Sequence, residues 1–291
     1  MSSVPRESSP PPSPAAADRA GACPWCGQNT AEPLRPSLEQ WQQWLGTAVA
    51  HRLGMYRIPP ELRLSVLVPA YNEEGTIAEI IRRIRAVPLP KEIIVVEDGS
   101  SDGTRRVLES MQGEPDLRIF FHPQNRGKGA ALRTAMSHVT GDIVIIQDAD
   151  LEYNPEEYPQ LIRPIVEGNA DVVFGSRFIT DGPHRVFYYW HSVANHLLTL
   201  ASNLFTDLGL SDMETCFKVF RRDVVEALAP TLKENRFGIE PELAAKIARR
   251  RYRVFEMGIS YSGRTYEEGK KIGLRDAIRA IWCIVRYSRW D

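Results

Sequence analysis

A doubly wound α/β domain is predicted over most of this chain, on three observations. Short runs that are apolar throughout alternate with segments whose apolar residues recur every three to four positions. The runs do not alternate apolar with polar, so each is buried on both faces, as the strands of a helix-covered parallel sheet are. Polar and acidic residues collect at the ends of three of these runs, where open α/β sheets bind their ligands.

Residues 1–21 are rich in Pro, Ser and Ala and cannot bury enough apolar surface to offset chain entropy, which predicts a disordered tail. Residues 22–60 form a second segment that begins with Cys23-Pro-Trp-Cys26. Two thiolates at this spacing can share a tetrahedral zinc but supply only half of its ligands. Cys216 and Cys283 lie far away, so zinc at Cys23 and Cys26 competes with a reading as plain exposed thiols. Over residues 38–53 Trp41, Trp44, Leu45, Ala48 and Val49 make one apolar stripe, which predicts a helix packed on the main domain or on a partner.

Residues 61–291 are the predicted main domain. Strands are expected at 64–69, 92–97, 117–121, 142–147 and 171–175, with helices at 76–87, 102–111, 128–139 and 156–167, the second opened by an Asp cap. Two later stretches, 185–210 and 272–290, are apolar and aromatic with basic residues interleaved in the second. Such amphipathic helices can lie in a bilayer surface, or pack on the sheet or a dimer face.

The 291 residues carry 36 Lys and Arg against 37 Asp and Glu, so the basic excess of a nucleic-acid binder is missing. No apolar run reaches the roughly 18 residues that span a bilayer. The first residues fit neither a secretory signal nor an Arg-rich transit peptide. Four cysteines make no disulfide framework, and a reducing cytosol is the expected compartment.

Asp148-Ala149-Asp150 directly follows the fourth strand. Two carboxylates there, with Glu152 two residues on, can approach one hard cation such as Mg²⁺ or Mn²⁺. That ion would bridge an acidic pocket to a diphosphate, which the bare pocket would repel; the competing reading is a solvated acidic turn. In Glu97-Asp98-Gly99-Ser100-Ser101-Asp102-Gly103-Thr104 the glycines permit a tight strand-to-helix turn, and Asp98 could accept from a base N–H or a ribose hydroxyl. Asn125-Arg126-Gly127-Lys128-Gly129 opens a helix and could contact an anion, yet it is neither a P-loop nor a dinucleotide fingerprint.

Taken in order, VPAYNEE, VVEDGSSDGT, NRGKGAAL, GDIVIIQDADLEYNP, DVVFGSRF, DMETCFKVFRR and SGRTYEEGKKIG resemble glycosyltransferase family 2 from Val66 to about Arg286. Within it the chain looks most like the dolichyl-phosphate mannose synthase branch and its bacterial polyprenyl-phosphate relatives. The resemblance implies a single nucleotide-diphospho-sugar transferase domain of the GT-A type, with a mostly parallel sheet and an N-terminal extension. It also implies roles for matching residues. Pro69, Tyr71, Glu73, Val96 and Asp98 would hold the nucleoside, Asp148 and Ala149 would line the sugar phosphate, and Asp150 with Glu152 would hold the metal. Arg177, Lys218, Arg264 and Lys270 would be cations near the diphosphate or an acceptor phosphate. Two departures stand out: Lys218 where the branch has Arg, and Glu214 where it has an uncharged residue.

The expected reaction is inverting transfer of a sugar from a GDP- or UDP-sugar to a polyprenyl phosphate, an acceptor already anionic and needing no base. The same fold could instead serve a saccharide or small-molecule hydroxyl, with Glu214 as general base. Glu214 could otherwise be an ion-pair partner of Lys218 or Arg221. From another class, the chain could be a non-catalytic subunit recruiting a partner, although the intact DAD argues against that. A nucleotidyltransferase is disfavoured because AYNEE stands where a Gly-rich loop would open. Partners on the leading reading are a nucleotide sugar, an acceptor, a peripheral membrane contact at the cytoplasmic face, and a homodimer or membrane-anchored subunit.

Overall fold

The computed structural model describes residues 37–52, 54–179, 185–186, 188–263 and 274–289. The chain divides into two compact units, Met1–Arg57 and Ile58–Asp291. In the first, α1 (Leu38–Leu45) is opened by a reciprocal cap in which Ser37 Oγ accepts from the Gln40 N–H at 3.2 Å and Gln40 Oε1 accepts from the Ser37 N–H at 2.7 Å. Gly46 then takes a φ of 78° and ends it, so the single helix expected over 38–53 is two, with α2 at Thr47–Arg52. Cys23 and Cys26, with the tail before them, lie outside the described residues.

The second unit runs β1 (Leu64–Ala70), α3 (Ile77–Ala86), β2 (Lys91–Glu97), α4 (Thr104–Ser110), β3 (Leu117–Phe121), α5 (Lys128–Met136), β4 (Ile143–Ile146), α6 (Tyr158–Val166) and β5 (Val172–Ser176). It continues through α7 (Tyr189–Thr206), β6 (Lys218–Arg221), α8 (Arg222–Leu228), α9 (Ile239–Arg249), β7 (Val254–Gly258) and α10 (Leu274–Arg289). The strands form one sheet in the order β3-β2-β1-β4-β6-β5-β7. Pairing is parallel except at β6, which runs antiparallel to both neighbours.

Each helix shows why it lies where it does. In α3 Ile77, Ile80, Ile81 and Ile84 repeat at helical spacing and are all fully buried, while Glu79 on the other face pairs with Arg82 and Arg83. The core joins Leu67, Val96, Val144, Ile146, Phe174 and Phe220 of the sheet to Ala131 and Ala135 of α5 and Leu243 and Ile247 of α9. Strand order runs one way from β1 through β2 to β3 and the other way from β4 outward. A crevice therefore opens at the carboxyl ends of β1 and β4, and it receives the segments after Ala70 and after Ile146.

Candidate active site

Three turns shape this crevice. After β1, Asn72 takes a φ of 54°; its Oδ1 accepts from the Ser101 N–H at 2.8 Å and its own N–H donates to Ser100 Oγ at 3.0 Å. After β2, Gly99 has a φ of 67°, and any side chain there would collide with the Gln124 backbone. Asp98 next to it is buried. Its carboxylate accepts from the Arg126 N–H at 3.0 Å and the Gly127 N–H at 2.6 Å, and lies 2.6 Å from His122 Nδ1. Asp98 thus ties the 125–128 loop to the end of β2.

That loop delivers Lys128 to the third turn. Lys128 Nζ lies 2.9 Å from Asp148 Oδ1, 3.2 Å from Glu240 Oε1 of α9 and 2.7 Å from Cys216 Sγ. Burial disfavours its charge, but Asp148, Cys216 and Glu240 more than offset that and hold its pKa well above the usual lysine value. Burial likewise works against ionised Asp148, but Lys128, the Cys216 thiol and Lys218 together outweigh it, so this carboxylate sits below its ordinary range. Beyond Asp150, Leu151 adopts a φ of 64°, unusual for a non-glycine residue, and the Glu152 N–H turns back to Asp150 Oδ1 at 3.2 Å. Glu152 Oε2 accepts from the Tyr261 hydroxyl at 2.7 Å.

Around these turns lies a cavity of about 380 Å³. Of the residues singled out in the sequence, Pro69, Tyr71, Glu73, Asp98, Asp148, Ala149, Asp150, Glu152, Arg177 and Glu214 line it. Two expectations need correction. Val96 is fully buried in the hydrophobic core of β2 and does not reach the cavity wall. Lys218 is also fully buried: its Nζ bonds the Met213 and Thr215 carbonyls, pairs with Glu240 Oε2 at 2.5 Å and sits 4.9 Å from the Phe174 ring centre, so it is a support beneath the cavity rather than a phosphate contact. Asp98 lines the cavity as expected and in addition holds the loop and His122 in position. Arg264 and Lys270 lie outside the described residues.

Arg177 forms a bidentate pair with Asp212, Nε to Oδ2 at 2.6 Å and Nη2 to Oδ1 at 2.7 Å, and stands 5.2 Å from the Tyr261 ring centre. Glu214 pairs with neither cation considered for it: Lys218 is held by Glu240, and Arg221 by Asp171 and Asp223. Its Oε1 is buried without a hydrogen-bond partner among the described residues. Burial first, and Glu240 second, push its pKa up to about 7.

The donor set suits a small hard cation. Among the described residues no three acidic, His or Cys side chains converge tightly enough to enclose a metal unaided. Mg²⁺ and Mn²⁺ sites of this kind take one or two carboxylates and complete their shell with water and substrate phosphate. Asp150 and Glu152 both line the cavity and carry carboxylate oxygens of the kind such an ion takes.

The family model of glycosyl transferase family 2 matches residues 65–229, more than half of the chain and the stretch that carries β1 to β6 and most of the cavity lining. The chain belongs to glycosyl transferase family 2. It is a glycosyltransferase with the GT-A-type fold of that family. Among solved structures it is similar to glucosyl-3-phosphoglycerate synthase from Mycobacterium tuberculosis in several complexes. With Mn²⁺, UDP and phosphoglyceric acid bound to that protein, identity is 22% over 79% of this chain and 79% of that one, at a TM-score of 0.60. With Mn²⁺, UDP and glucosyl-3-phosphoglycerate the figures are 20%, 89%, 86% and 0.60, and with Mg²⁺ and UDP they are 22%, 78%, 79% and 0.58.

Several residues of this family 2 site escaped the sequence reading. Glu240 sits in the first turn of α9, and nothing local marks it as the partner of two lysines. Lys128 was visible only as part of a Gly-rich loop. Cys216, Arg236, Phe237 and Tyr261 also line the cavity, brought there by tertiary folding. Cys216 lies within DMETCFKVFRR and Tyr261 one residue before SGRTYEEGKKIG, but neither motif marks them as cavity residues.

Proposed function

We propose that the chain transfers a sugar, with inversion, from a nucleotide sugar to an acceptor hydroxyl, with Glu214 as general base. One observation carries the reading: a carboxylate oxygen without a partner, on a group with a pKa of about 7, in the wall of the cavity that holds the DAD segment. An acid shifted toward neutrality by burial matches the proton affinity a base needs at working pH. Glu214 would take the hydroxyl proton as the acceptor oxygen bonds to the anomeric carbon. The bond from that carbon to the donor phosphate breaks, and the electron pair leaves with the nucleoside diphosphate. Asp150 and Glu152 would hold Mg²⁺ or Mn²⁺, whose charge stabilises the departing diphosphate. Tyr71 and Pro69 would face the nucleoside, while Lys128 fixes Asp148. The similar synthase, which binds UDP, Mn²⁺ and phosphoglyceric acid, is in keeping with this donor class.

A second reading, transfer to a polyprenyl phosphate at a membrane surface, has its own support. In α7 Tyr189, Trp190, Leu197, Leu200 and Leu204 are exposed, and in α10 so are Ile278, Ile281 and Trp282. No helix among the described residues is long and apolar enough to cross a membrane. A lipid phosphate needs no base, so the two readings separate cleanly. Wild type and Glu214→Gln are offered GDP- and UDP-sugars with Mn²⁺ against sugar hydroxyls, phosphoglycerate and polyprenyl phosphate, and products are weighed by mass spectrometry. Transfer to a hydroxyl that Glu214→Gln loses supports the first reading. Transfer to polyprenyl phosphate that survives Glu214→Gln replaces it with the second.

A further inference from the structure

Building on the nucleotide-sugar reading, we infer that Arg236 binds phosphate or carboxylate oxygens of a substrate in this cavity. Among the described residues the wall carries seven carboxylates, from Glu73, Asp98, Asp148, Asp150, Glu152, Glu214 and Glu240, against three cations, Lys128, Arg177 and Arg236. An anionic ligand therefore needs cationic help. Lys128 is committed to Asp148 and Glu240, and Arg177 to Asp212. Arg236 lines the cavity, is exposed, and makes no ion pair among the described residues.

Its segment is held from two sides. On one, the Asn235 carbonyl accepts from the Ala130 N–H at 3.1 Å, and Arg133 donates to the Glu234 carbonyl at 3.0 Å and to Asn235 Oδ1 at 2.6 Å. On the other, Arg279 and Tyr287 of α10 donate to Glu234 Oε1 at 2.7 and 2.8 Å. A Cβ on Gly127 would fall 2.8 Å from Arg236 Cγ, so the arginine stem lies directly on the loop that delivers Lys128. A guanidinium presented there has the planar fork that matches phosphate or carboxylate. Glu234, with both oxygens turned to α10, is the positioning residue behind it.

The anion belongs either to the donor diphosphate or to the acceptor, and one set of measurements separates them. UDP and GDP with Mn²⁺ are titrated calorimetrically into wild type, Arg236→Gln and Arg236→Lys, with thermal melts to establish that each variant is folded. Steady-state KM values for donor and acceptor follow. We expect Arg236→Gln to weaken the diphosphate that wild type binds by about ten- to a hundredfold, the range for a hydrogen bond to a charged group, with partial recovery in Arg236→Lys. Unchanged diphosphate binding with an equally raised acceptor KM assigns the contact to an anionic acceptor. If neither changes, the role given to Arg236 is wrong although the nucleotide-sugar reading stands; if wild type itself binds no diphosphate, both fall.

Discussion

Lys128 Nζ sits 2.9 Å from Asp148 Oδ1, so the first carboxylate of the DAD segment already has a resident cation. The second, Asp150, has its Oδ1 at the Glu152 N–H and stands on the cavity wall. The two aspartates thus differ: Asp148 is paired with Lys128, which also reaches Glu240, whereas Asp150 on the same cavity wall is the one proposed to meet a metal. Lys128→Met would leave Asp148 without its counter-charge, while Glu240 keeps Lys218. Removing one partner of a buried pair costs about 3–5 kcal/mol, so urea unfolding of this variant should show a loss of that size. A midpoint equal to wild type would mean that the lysine is dispensable to the floor.

Glu214 makes the pH dependence specific. Its folded pKa of about 7 lies above the ordinary value of 4.5, so the native state holds this proton more tightly than the unfolded chain. The stability that follows is full below the ordinary value and is lost as pH rises through about 7, an upper bound of about 3 kcal/mol. Activity has the opposite sign, because a base works only once ionised. For a hydroxyl acceptor, turnover should rise with pH through about 7, and Glu214→Gln should lower kcat by about 10²–10⁴-fold and flatten that limb. A variant that keeps both the rate and the limb rules Glu214 out as the base.

Much of the architecture was legible because it rests on local pattern: residues 117–121 form the strand their apolar run predicts, and the polar strand ends do meet in one crevice. What escaped depends on long-range pairing. Lys218-Val-Phe-Arg221 is too short to announce a strand, yet pairing with β4 and β5 makes it one, and an antiparallel one. The same burial turns Lys218 from an expected phosphate contact into a buried support, since a sequence shows a charge but not its depth. The second task of Asp98, holding the loop, stays hidden in the sequence because its three partners come from 24 to 29 residues further on. Gly46 broke a continuous apolar stripe by a backbone angle that periodicity does not register.

Tyr261 tests the metal assignment without replacing a proposed ligand. Its hydroxyl donates to Glu152 Oε2 at 2.7 Å, and its ring lies 5.3 Å from that of Tyr153, so it orients the carboxylate. Loss of such an outer partner typically weakens a metal about 10–100-fold. Tyr261→Phe should therefore shift the Mn²⁺ concentration giving half-maximal transfer upward by about tenfold or more, with the rate at saturating Mn²⁺ largely restored. Chelation should silence both proteins, and added Mn²⁺ should rescue both. Identical metal titrations would remove Glu152 from the proposed ligand pair.

His122 offers the last test, of how the loop is held. Its Nδ1 lies 2.6 Å from Asp98 Oδ1 and its Nε2 2.9 Å from Thr134 Oγ1, so it bridges the end of β2 to α5. Asp98 in turn fixes the Arg126 and Gly127 N–H groups, one residue from Lys128. His122→Phe keeps a ring in the space but removes a donor from a buried carboxylate, a loss of about 1–3 kcal/mol. His122→Asn can place an amide nitrogen near the position of Nδ1 and should recover part of it. If the bridge matters only for packing, both variants should lose stability while donor KM stays constant. Because the loop forms one wall of the cavity, donor KM should instead rise in His122→Phe with little change in kcat, and fall back toward wild type in His122→Asn.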